Sequence, residues 1–235
     1  MNEFLENYYT LITYVVEILA AISCSVYVYK SQDKASRLFA YFLWLTVFVE
    51  NLSLYARFMQ NNYDNELFIL IKNSPFCSNH WLYNIRSLVV IIILGAYFRR
   101  LITKISFQKS IKLLVIIYLV FSLVYFAFSD AFFYNGIPYN FMLRSLVIVF
   151  FGCLYYLELL KSDRILEFHK SKHFYICSTM LLWSLVVTPL FVFSDYYRLA
   201  NPNFIYIRQL ILLCSNIVMY LCFTIVFLVS FFKIK

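Results

Sequence analysis

The chain has 235 residues, 63% of them apolar, with a mean hydropathy of +0.76. Water-soluble domains carry about 45–50% apolar residues, so a soluble globular domain is excluded. The net charge of +8 does not point to nucleic acid, because the basic residues fall mostly in short connections between apolar runs.

Residues 1–6 (Met-Asn-Glu-Phe-Leu-Glu) are acidic, which is the wrong lead-in for a cleaved signal peptide. Runs of about 20 apolar residues then recur, each the length that crosses a hydrocarbon core of ~30 Å as a helix. They predict spans at 8–29, 38–59, 81–97, 111–128, 138–160, 174–193 and 205–232. The last is longer than a bilayer needs and should tilt or protrude. The fold class is therefore all-α: a single polytopic bundle over residues 1–235. With only three glycines and four prolines, a transporter built on broken helices is disfavoured. Long unbroken runs also disfavour an outer-membrane barrel. The longest connection, 60–80, contains Leu67-Phe68-Ile69-Leu70-Ile71. That stretch is too short to span and is expected as an interfacial helix or a cap on the bundle.

Orientation follows from lysine and arginine in the short loops. Lys30, Lys34 and Arg37, then Arg99, Arg100, Lys104, Lys109 and Lys112, then Lys161, Arg164, Lys170 and Lys172, and finally Lys233 and Lys235, all fall on one side. This puts the N-terminus outside and the C-terminus in the cytoplasm.

The chain also repeats itself. Phe128-Ser129-Asp130 followed by Arg144-Ser145-Leu146-Val147 matches Phe193-Ser194-Asp195 followed by Arg208-Gln209-Leu210-Ile211. Arg86-Ser87-Leu88-Val89, preceded by Tyr83-Asn84, fits the second element. The pattern describes parallel helical hairpins, each descending helix carrying an arginine near its outer end. Chance likeness between apolar helices is the plainer alternative.

Ionisable groups inside a span are costly, by roughly 2.5–3.5 kcal/mol on insertion scales, and are read as functional candidates. Arg57, Arg86, Arg144 and Arg208 form a layer in the outer leaflet. Glu50 precedes Arg57 by seven residues on the same face, about 10 Å deeper, and Glu17 matches its depth. Guanidinium groups grip carboxylates and phosphates in two-point fashion, so an anionic small ligand or a lipid headgroup fits this layer. The competing reading is structural: Asp130 clasps Arg144, Asp195 clasps Arg208, and the remaining charges pair internally. Glu158 is expected to reach water beside Lys161.

His169 and His173 share a helical face at i,i+4 spacing, but Lys170 and Lys172 between them repel a metal. A basic interfacial segment is the better reading, and no metal or other cofactor is expected. Six cysteines give no disulfide framework. Phosphate-loop, zinc-protease, nucleophile-elbow and Cys-x-x-Cys motifs are all missing, so an enzyme is not expected.

Thr46-Val47-Phe48-Val49-Glu50-Asn51-Leu52 in the second span, and His173-Phe174-Tyr175 with Leu181-Leu182-Trp183 in the sixth, carry a likeness over most of the chain. They resemble small seven-helix inner-membrane proteins of Bacteroidota, some of which look like detached membrane sensor modules of two-component systems. The resemblance implies a sensory or accessory role. The expected activity is a non-enzymatic receptor that signals through a separate cytoplasmic or membrane partner. The alternative is a small transporter or channel with Glu17 and Glu50 lining its path.

Overall fold

The computed structural model describes residues 2–61, 69, 71–133, 138–193 and 202–234. Their regular structure is helical throughout: α1 (Asn2–Ser31), α2 (Lys34–Asn61), α3 (His80–Leu101), α4 (Ile105–Phe128), α5 (Pro138–Leu160), α6 (Lys172–Val192) and α7 (Pro202–Phe232). Among the described residues, these seven helices are long and apolar enough to cross a membrane. In hydrocarbon every backbone N–H and C=O needs an internal partner, which apolar helices provide. Several helices outrun their apolar cores; α4 begins at Ile105, well ahead of the expected 111. Of the apolar stretch expected at 67–71, residues 67, 68 and 70 lie outside the described residues.

The turns are made locally. Gln32 closes α1 with a left-handed φ of 54°, and its N–H donates to the Val28 carbonyl at 2.9 Å. Asp33 follows at once and caps α2, accepting from the backbone N–H of Ala35 at 3.0 Å and of Ser36 at 3.3 Å. Two residues therefore reverse the chain and set α1 and α2 antiparallel.

Six helices pack in the circular order α1, α2, α3, α5, α6, α7 and back to α1, while α4 lies outside against α3 and α5. The outer surface is apolar. Leu113, Ile116, Ile117, Val120, Phe121, Leu123 and Val124 on α4 are all exposed, as are Leu182 and Leu185 on α6. A soluble protein does not present such a surface, whereas lipid-facing helices do. Burial of apolar area gives little drive within lipid, so close packing must hold the helices together. Phe39 shows this: fully buried, it meets Phe42, Tyr97, Phe223 and Phe227 at centroid distances of 5.4, 5.4, 5.0 and 5.9 Å. One ring thus joins α2, α3 and α7. At Gly95 an added Cβ would lie 2.6 Å from Val115 Cγ2, so α3 and α4 approach closely there.

Candidate functional site

Two polar centres stand out, one toward each end of the bundle. The first is built on α3. Arg86 donates from Nη1 to Glu50 Oε1 and from Nη2 to Thr46 Oγ1, both at 3.2 Å. The pair is largely buried, at 19% exposure for Arg86 and 22% for Glu50. Tyr83, one turn before Arg86, donates to Glu50 Oε2 at 3.0 Å, and Tyr14 donates to the Glu50 carbonyl at 2.9 Å. Arg86 Nε is buried with no partner.

Glu17 projects from α1 toward this pair. It is 4% exposed, and its Oε2 has no hydrogen-bond partner. Tyr220 of α7, Glu50 and Arg86 all lie within electrostatic reach of the carboxyl. Glu50 and Arg86 pair directly, and Glu17 lies within electrostatic reach of both. The Arg57 side chain lies outside the described residues.

Arg144 corrects an expectation. No Asp130–Arg144 ion pair exists. Asp130 sits exposed in a 3-10 turn (Asp130–Phe132) above the peripheral α4. Arg144 turns to the interior instead and donates to Ser87 Oγ at 2.7 Å, an oxygen that also accepts from Tyr118 at 3.2 Å. Among the described residues no carboxylate pairs with Arg144. Its guanidinium lies 4.8 Å from the Phe141 ring centroid, and Phe141 stacks on Phe191 at 3.9 Å. Arg208 lies over Phe191 at 5.4 Å. A pair of stacked rings is thus held between two cations contributed by α5 and α7. Such contacts contribute about 0.5–2 kcal/mol each. Asp195, the expected clasp for Arg208, lies outside the described residues.

The second centre lies where the basic connections gather. Asp33 receives Lys172 Nζ at 2.9 Å and His173 Nε2 at 3.6 Å from the start of α6, besides its capping bonds. The Lys172 ammonium also meets the Tyr27 hydroxyl and lies 4.4 Å from that ring's centroid. His173 Nδ1 lies 3.1 Å from the hydroxyl of the fully buried Tyr97. This network ties α6 to the α1–α2 connection, which is not its neighbour in the ring. Burial opposes ionisation of Asp33, but the nearby His173 imidazole and the hydrogen bonds from Ser36 and Lys172 outweigh it and hold the carboxyl well below the usual range.

Near the end of α5, Glu158 is 7% exposed. It accepts from Thr103 N (2.7 Å), Thr103 Oγ1 (2.9 Å), Lys104 N (3.0 Å) and Arg164 Nη2 (2.8 Å). It does not simply reach water, because the free N–H groups ahead of α4 attract a carboxylate. The i,i+4 face expected for His169 and His173 does not form. His169 sits exposed on a 3-10 stretch (Asp163–Lys170), while α6 starts at Lys172 and directs His173 inward.

Several of these residues were invisible as functional candidates. Thr46, Ser87, Tyr118 and Tyr220 are single polar groups in apolar helices, and Phe141 and Phe191 are two aromatics among many. Asp33 did carry a signal, as a capping aspartate before a helix, but its partners on α6 carried none. No protein-family model, curated protein or solved structure matches the chain.

Proposed function

We propose that this protein is a non-enzymatic, receptor-like or accessory component of a bacterial inner membrane. It binds an anionic small ligand or lipid headgroup at the guanidinium groups of the outer leaflet. It passes that state through its basic inner connections to a separate cytoplasmic or membrane partner. The N-terminus lies outside and the C-terminus in the cytoplasm, a reading supported by the lysines and arginines collected at one end.

One observation carries the proposal. Arg144 is paired with no carboxylate among the described residues, holds a single hydroxyl at Ser87, and shares a stacked ring pair with Arg208. A cation left in this state favours an incoming anion, since buried charges are paired. The Asp33–Lys172 link favours sensing over a through-path, because it joins non-neighbouring elements at the inner end. In the competing transporter reading, Glu50 lines a path, yet Arg86, Tyr83 and Tyr14 already engage that residue.

The test is a thermal melt of the purified full chain in neutral detergent with inorganic phosphate or phosphatidylglycerol added. Either anion should raise the midpoint of the wild type, and Arg144→Gln should lose that rise while remaining folded. A response to phosphatidylglycerol alone identifies a headgroup, and a response to both identifies a free anion site. An equal rise in wild type and Arg144→Gln, or no rise with either anion, defeats the proposal.

A further inference from the structure

Glu17 has an independent peculiarity. It lies deep within an α1 segment that is long and apolar enough to span. It is 4% exposed, and Oε2 has no partner. Its titratable and charged neighbours among the described residues include Glu50 of α2, Arg86 of α3 and Tyr220 of α7, while Tyr83 and Tyr14 engage Glu50. Among these the only cation is Arg86, whose two Nη groups are already given to Glu50 and Thr46. Two carboxylates therefore surround one guanidinium that is committed to the other carboxylate.

A buried carboxylate in that position needs a balancing charge. A metal ion is a poor candidate: Arg86 repels it, and no group of three histidine, cysteine or acidic ligands exists among the described residues. A proton needs no coordination sphere. It leaves a neutral carboxyl with the Tyr220 hydroxyl within electrostatic reach.

We propose that Glu17 is a proton-binding site within the bundle, holding a proton on its carboxyl while Arg86 is paired with Glu50. Release of that proton adds a second carboxylate to compete for Arg86, so the Glu50–Arg86 link between α2 and α3 senses the occupancy of Glu17. The site does not depend on whether Arg144 binds an anion.

Infrared spectroscopy of the full chain in lipid nanodiscs tests this at neutral pH. The wild type should show the carbonyl stretch of a protonated carboxyl, with the usual small shift in deuterium oxide. Glu17→Gln should lose the band, and Glu50→Gln, which frees Arg86 to pair with Glu17, should weaken it. Tyr220→Phe leaves Glu17 in place but removes the polar hydroxyl that acts on it, and should shift the band to higher frequency. It tests the idea even where Glu17→Gln does not fold. The proposal is overturned by folded wild-type protein without the band, by a band that survives Glu17→Gln, or by one that Tyr220→Phe leaves unmoved.

Discussion

The link between Asp33 and α6 can be broken in two distinguishable ways. Asp33→Asn keeps an oxygen that can cap α2, because asparagine is as good a cap as aspartate. It removes the charge that faces Lys172, which is only 17% exposed, and His173. A hydrogen bond to a charged group contributes about 1.5–3 kcal/mol, so Asp33→Asn should lose about 2 kcal/mol. Asp33→Ala loses the cap as well, adding about 0.5–2 kcal/mol. The expected stability order is wild type, then Asn, then Ala. Reversible unfolding of the purified protein in mixed micelles measures it, and a Lys172→Met double-mutant cycle isolates the pair. Because the folded carboxyl is held low, its contribution is complete above the unfolded value of about 4 and fades only as pH falls through the lower folded value. The gap between wild type and Asp33→Asn should therefore be constant from neutral pH down to about 5 and shrink in stronger acid. Equal stabilities for Asn and wild type, or a gap that closes near neutrality, would refute the reasoning.

Two further perturbations probe the frame. Gly95→Ala places a methyl 2.6 Å from Val115 Cγ2; overpacking of this kind costs about 1–3 kcal/mol, to be read as a lower melting midpoint. Glu158→Gln keeps the side chain's size but gives up its charge toward Arg164 and the α4 N–H groups. It should loosen the α3–α4 connection, measured as faster amide exchange at Thr103 and Lys104, and unchanged exchange there would contradict the capping role.

The helices were legible because hydrocarbon imposes one requirement, a long apolar run, and the chain meets it seven times. The depth of Glu50 and Arg86 was also legible, since adjacent antiparallel helices with charges at matching depth can pair. Direction was not. Arg144 carries a long flexible side chain, and its spacing from Asp130 says nothing about which way the guanidinium turns. Asp130 lies exposed in the turn beyond a peripheral helix, while Ser87 and Tyr118 offer oxygens within. His173 reads as an interfacial basic residue until the start of α6 is known to face Asp33 and Tyr97. Such contacts depend on helix rotation, which apolar residues on every side leave unspecified.

Polar satisfaction divides the two centres. Toward the basic connections, Asp33 and Glu158 each accept several donors, as buried carboxylates normally do. Around the first centre and beyond it, Glu17 Oε2, Asn79 Oδ1, Arg86 Nε and Tyr206 Oη are buried without partners. Each buried group left in that state costs about 1–3 kcal/mol. A chain that needed only rigidity could substitute apolar residues there without loss. The retained, unsatisfied groups include donors at Arg86 and Tyr206, which suit an acceptor-rich anion, and an acceptor at Glu17, which suits a proton. The satisfied end fixes α6 against the α1–α2 turn, so a rearrangement of the bundle costs less in the half where polar groups can still gain partners.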